Sequence, residues 1–119
     1  MAKILIVDDS RTSRKILRGI LENNGYEVAG EATNGEEGVK LFEELNPDVV
    51  TMDITMPVMD GVSALKEIMK LNANAKVIMV TAAGQKGNVV EALKSGAYEF
   101  VTKPFEEDVI CDLLKKATN

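Results

Sequence analysis

Short apolar runs alternating with amphipathic stretches along the whole chain predict an α/β fold, an open parallel sheet wound with helices on both faces. Two observations sharpen this. The runs are too short to be helices and are bounded by turn residues, as strands buried on both faces are. Five such units are also too few for an eight-stranded barrel, so right-handed crossovers leave an open, doubly wound (βα)5 sheet as the economical arrangement.

Residues 4–7 read as the first strand, and 10–24 as a helix with Ile16, Leu17, Ile20 and Leu21 on one face, stopped by Gly25. Residues 28–32 form a weaker strand. Asn34-Gly35 then turns into a helix carrying Val39, Phe42 and Leu45, ended by Asn46-Pro47. Residues 49–52 are the third strand, followed by a long loop over 55–61 and a helix with Leu65, Ile68 and Met69 facing inward. Residues 77–80 are the fourth strand. Val89, Val90 and Leu93 mark a short helix ended by Gly96, residues 100–102 a short fifth strand, and Val109, Ile110, Leu113 and Leu114 the last helix.

At 119 residues the chain, 1–119, is expected to be a single domain with one core. The 14 Lys+Arg against 19 Asp+Glu give a net charge of −5, which argues against a nucleic-acid surface. Cys111 is the lone cysteine, lies in a helical pattern, and reads as a reduced, buried or half-buried thiol. The apolar run at 4–7 stops at Asp8, too short for a signal-peptide core or a membrane span. A cytoplasmic monomer that does not bind membranes is the expectation. The six methionines are scattered through strand, loop and helix, so core filling is favoured over a soft-metal site.

If the runs are adjacent parallel strands, their ends bring Asp8, Asp9, Asp53, Thr81 and Lys103 to one rim, where open α/β sheets bind ligands. Crowded carboxylates repel unless a cation or proton sits among them. With no His and one Cys, an all-oxygen Mg²⁺ site is the natural tenant, with Mn²⁺ an acceptable substitute. One acid is then a candidate phosphoryl acceptor, and Lys103 a compact positive charge for the phosphate. Each residue also has a plainer reading. An aspartate leading into a helix suits its N-terminal dipole, which explains one of Asp8 and Asp9 better than both. Asp53 could be a turn residue, Thr81 an ordinary β-branched strand residue, Lys103 a solvated lysine and Phe100 a core aromatic.

Four motifs in order change those odds: Asp8-Asp9 after strand one, Asp53 with Met56-Pro57-Val58-Met59-Asp60-Gly61 after strand three, Thr81-Ala82 after strand four, and Lys103-Pro104-Phe105 after strand five. Together they resemble, over the whole chain, the receiver domains of two-component response regulators, of which single-domain chemotaxis regulators are the simplest. The resemblance implies a flavodoxin-like sheet in the order 2-1-3-4-5. It implies Asp53 as phosphoacceptor from a sensor histidine kinase. It also implies Asp8, Asp9, Asp53 and the Thr55 backbone carbonyl around Mg²⁺, and Lys103 on the phosphoryl oxygens, aimed by a cis bond to Pro104. Thr81 and Phe100 would form the switch, with Phe100 standing where the family often has Tyr. Thr55, Ala82 and Ala83 would govern access to the phosphoryl group. The implied output is altered binding of a downstream protein, the flagellar motor switch and a phosphatase being candidates, with enzymatic action limited to the chain's own phosphorylation and dephosphorylation.

Other settings remain open at this point: a module of a larger regulator or a phosphorelay intermediate. A haloacid-dehalogenase-like phosphatase also uses an aspartate, Mg²⁺, Thr and Lys, but wants a second acid where Thr55 stands. A flavodoxin-like FMN binder shares the winding, yet Asp8-Asp9 would repel a phosphate lacking a metal.

Overall fold

The structure, a computed structural model, describes residues 2–82 and 86–118. Five strands, β1 (Lys3–Val7), β2 (Glu27–Ala32), β3 (Val49–Asp53), β4 (Val77–Thr81) and β5 (Glu99–Thr102), pair in parallel in the order β2-β1-β3-β4-β5. Helices α1 (Arg11–Asn23), α2 (Gly35–Leu45), α3 (Gly61–Leu71), α4 (Lys86–Lys94) and α5 (Glu107–Thr118) alternate with them. Every strand therefore points the same way, and all five carboxyl ends share one rim.

Alternation along the strands builds two cores. Leu5, Val7, Val50, Met52, Val77 and Met79 pack with residues of α2, α3 and α4 on one face. Ile4, Ile6, Val49, Ile78 and Val80 pack with Leu17 and Leu21 of α1 and Ile110 and Leu114 of α5 on the other. Side chains two apart share a face, so the central strands are apolar on both faces, with Thr51 of β3 a buried polar exception, and the period-two signal gives way to apolar runs. Met52 and Met79 are fully buried, consistent with methionine as core filler.

Turn chemistry falls where the sequence indicates it. Asn34 Oδ1 accepts the Glu37 N–H to cap α2, and Asn46 closes that helix at φ 46°. Gly25, at φ 84°, follows the C-cap of α1.

The first helix begins at Arg11 with Ser10 as its N-cap, so Asp8 and Asp9 lead into it as the sequence indicates. One expectation needs correction. Ile16 is half exposed, because it lies about 100° around the helix from Leu17, outside the stripe of Leu17, Ile20 and Leu21. Of the two readings left open for Phe100, the core one is not followed: at 39% exposed it lies on an edge strand, and the core side of β5 is supplied by Val101.

Candidate functional site

Strand register carries the rim residues together. Val7 pairs with Met52 and Asp53 with Val80, so the ends of β1, β3 and β4 lie side by side. The ladder runs on past the strands, with the Asp8 N–H donating to the Ala32 carbonyl, Ile54 to Val80 and Lys103 to Thr81. One carboxylate oxygen from each of Asp8, Asp9 and Asp53 can be chosen so that all three lie within 4.8 Å of one another. Asp8 and Asp53 are buried and Asp9 is exposed at the mouth.

Among the described residues, the Lys103 ammonium is the one in this cluster, and it is shared unequally. Lys103 Nζ sits 2.9 Å from Asp8 Oδ2 and 3.5 Å from Asp53 Oδ2. Asp8 Oδ1 also accepts the Ser10 N–H, and Asp53 Oδ1 accepts that of Ile54. Asp53 is thus the less compensated of the two buried acids. Burial and then the Asp8 charge push its pKa up from 3.8 to about 6, against the opposing pull of Lys103 and the Ile54 N–H. For Lys103, burial lowers the pKa, but the hydrogen bond to Asp8 and the charges of Asp53 and Asp8 outweigh it and hold it above its ordinary value.

Backbone packing behind Asp53 is close. Gly61 N–H donates to the Ile54 carbonyl at 2.8 Å, and a Cβ at Gly61 would collide with the Asp53 carbonyl. Between them, residues 55–61 form a tight loop in which Met59 N–H reaches the Pro57 carbonyl across Val58 at φ 68°. Asp60 then caps α3 by accepting the Ser63 N–H. Gly35 braces the loop from α2, donating to the Met59 carbonyl.

The remaining candidates lie around this pocket. Thr81 is buried at the end of β4, its hydroxyl donating to the Ala82 carbonyl. The Lys103–Pro104 peptide is cis. Thr55 and Ala82 are exposed, and Ala83 lies outside the described residues. Cys111 is half-buried in α5, its thiol pushed up by burial and by the nearby Glu107 charge.

The model of the response regulator receiver domain matches residues 4–115. The chain belongs to that family. Chemotaxis protein CheY of Thermotoga maritima is 52% identical to this receiver over 98% of the chain and 97% of its own length, and that of Bacillus subtilis 47% identical over 98% of both. Among solved structures, a receiver domain from Clostridium thermocellum superposes with a TM-score of 0.94 at 35% identity, covering 100% of this chain and 95% of its own. A chain of the CheX–CheY–BeF3–Mg complex of Borrelia burgdorferi superposes at 0.92 and 37% identity, covering 99% and 90%. The strand order of the receiver is the one its motifs implied, and the dehalogenase-like alternative has no support.

The donor set fits a hard cation. Mg²⁺ prefers a few carboxylates with waters and phosphate oxygens completing its shell, and the rim supplies three converging carboxylates against the one Lys103 ammonium found among the described residues. Sequence reasoning missed what surrounds the acids: the Ser10 bond to Asp8, the Gly61 backing, and Arg14, whose Nη1 donates to the Asp8 carbonyl at 2.8 Å. The Ser10 cap was readable from a serine preceding a helical pattern. Arg14 could be found only once β2 and α1 had been placed together.

Proposed function

We propose that this receiver is a phosphorylation-activated switch in chemotaxis signalling, with Asp53 the acceptor of a phosphoryl group from a histidine kinase. The carrying observation is the asymmetry at Asp53: a buried carboxylate with an incomplete charge partner, within a three-acid cluster. Supporting it, the Borrelia CheY is known in a complex with BeF3 and Mg. The chain is a signalling switch rather than a conventional enzyme.

Asp8, Asp9, Asp53 and the Thr55 carbonyl would hold Mg²⁺, which supplies charge neutralisation at the phosphoryl oxygens. Asp53 attacks phosphorus in line as its carboxylate, and the donor's leaving group departs from the opposite side. Lys103 releases part of its hold on Asp8 and places its ammonium on an equatorial oxygen, where a compact charge is most effective. Thr81 turns its hydroxyl from the Ala82 carbonyl toward the phosphoryl group. Thr55, Ala82 and Ala83 set the path by which water later reaches phosphorus and ends the signal. Movement at Thr81 opens space for Phe100 to turn inward, altering a face on which Val90, Tyr98, Phe100 and Val109 expose apolar surface to a downstream protein. The setting is cytoplasmic, and no helix of the described residues is long and apolar enough to cross a membrane.

Incubation with acetyl phosphate and Mg²⁺ should add one phosphoryl group, read by mass spectrometry, and Asp53→Asn should abolish it. Equal labelling of the variant would remove Asp53 from the role.

A further inference from the structure

Arg14 lies in the first turn of α1 and is tied down from two sides. Its Nε donates to Glu31 Oε1 of β2 at 3.0 Å, while Nη1 donates to the main-chain carbonyl of Asp8 at 2.8 Å. Glu31 is itself fixed, because Arg18 Nε holds its other oxygen at 2.7 Å. The Arg14 side chain is only 15% exposed. Its charge is directed at Glu31 and at a neutral carbonyl, so it does not serve the acidic cluster as a counterion.

The carbonyl it grips belongs to the peptide that joins Asp8 to Asp9. A peptide unit is rigid, so holding that oxygen sets the plane from which Asp9 departs. The preceding unit is pinned as well, the Asp8 N–H donating to the Ala32 carbonyl at 3.0 Å. Asp8 has further restraints on its side chain from Ser10 and Lys103. Asp9 is exposed, and its N–H belongs to the peptide whose carbonyl Arg14 holds.

We infer that Arg14, oriented by the Glu31 and Arg18 pair, is a positioning residue for the cation site, holding the Asp8–Asp9 peptide so that Asp9 faces Asp8 and Asp53. This rests on the reading of the rim as a divalent-cation site. Groups that orient metal-binding side chains without touching the ion commonly change affinity by tenfold or more when removed. Arginine suits the task because its planar fork can bind a carboxylate and a carbonyl at once, which a lysine ammonium does less rigidly.

Charge and position predict opposite results. Removing a cation near three carboxylates should by Coulomb's law tighten Mg²⁺ binding, an effect that salt screens. Loss of positioning should weaken it at any salt. Calorimetric titration of the full chain with Mg²⁺, at low salt and at about 0.5 M salt, compares wild type with Arg14→Gln and Arg14→Lys. Folding of each variant is checked by thermal melts in chelator. On the order of tenfold weaker binding is expected for Arg14→Gln at high salt, with Arg14→Lys intermediate. Should Arg14→Gln fail to fold, Arg14→Lys, which keeps the charge, carries the test: weaker binding supports the assignment. Affinity equal to or tighter than wild type at high salt, in whichever variant folds, overturns it. Absence of Mg²⁺ binding by the wild-type chain would overturn the cation reading beneath it as well.

Discussion

The two ends of the same five strands are built on opposite principles. At the amino end, polar groups are met one at a time: Asp48 accepts the Lys3 N–H, and Lys76 donates to the Ala117 carbonyl at 2.7 Å while its ammonium stands 5.6 Å over the Tyr98 ring. At the carboxyl end, Asp8 and Asp53 are buried beside Asp9 with the Lys103 ammonium between them. Nothing in the packing of the strands demands this difference, since β1, β3 and β4 carry apolar core residues on both faces of the sheet. The amino end closes the fold; the carboxyl end holds like charges together at a cost, and that cost marks the functional rim.

The contrast is broken most severely by Gly61→Ala. Its new Cβ would enter the space of the Asp53 carbonyl, which is backbone and cannot swing aside. Loss of about 3 kcal/mol is expected in urea unfolding, with the overlap distorting the loop that carries the acids. Gly19→Ala, in α1 with nothing within 4 Å of the added carbon, should instead be neutral or mildly stabilising.

Asp53→Asn should sharpen the comparison in the opposite direction. A carboxyl whose pKa is raised by folding contributes stability below its unfolded value, and that contribution is lost as pH rises through its folded value. For Asp53 the window runs from 3.8 to about 6, which corresponds to about 3 kcal/mol with the attraction of Lys103 already included. In chelator at pH 7.5 the variant should therefore be more stable than wild type by about 1–3 kcal/mol, with the gain fading toward pH 4. Unfolding curves across that range check the sign as well as the size.

The smallest effect belongs to the amino end. Lys76→Met removes the bond to Ala117 and the contact with Tyr98, and should cost about 1 kcal/mol. That loss should be independent of pH between 4 and 8 and leave Mg²⁺ binding unchanged. A shifted Mg²⁺ affinity would show that the two ends are not separate.

The contrast also explains what the sequence disclosed. Strands buried on both faces leave apolar runs, broken in β3 only by Thr51, that end where the rim residues begin, so position made Asp53 and Thr81 candidates and the four motifs in order set aside their plainer readings. Winding direction made the rim common to all five strands. Less legible were residues whose role depends on a partner distant in sequence. Arg14 and Glu31 look like ordinary surface charges until β2 is laid beside α1, and the division of Lys103 between Asp8 and Asp53 is a matter of fractions of an ångström. Phe100 was ambiguous for another reason. A short edge strand can turn an aromatic to either side, and the pattern around positions 99–102 is too brief to choose.

The most direct test of the carboxyl rim as a built cation site is equilibrium unfolding of the wild-type chain at pH 7.5 with Mg²⁺ and with chelator. An ion that binds only the folded state at about 100 times its Kd should add about 2.7 kcal/mol. Superimposable curves, together with no heat of Mg²⁺ binding, would contradict the site.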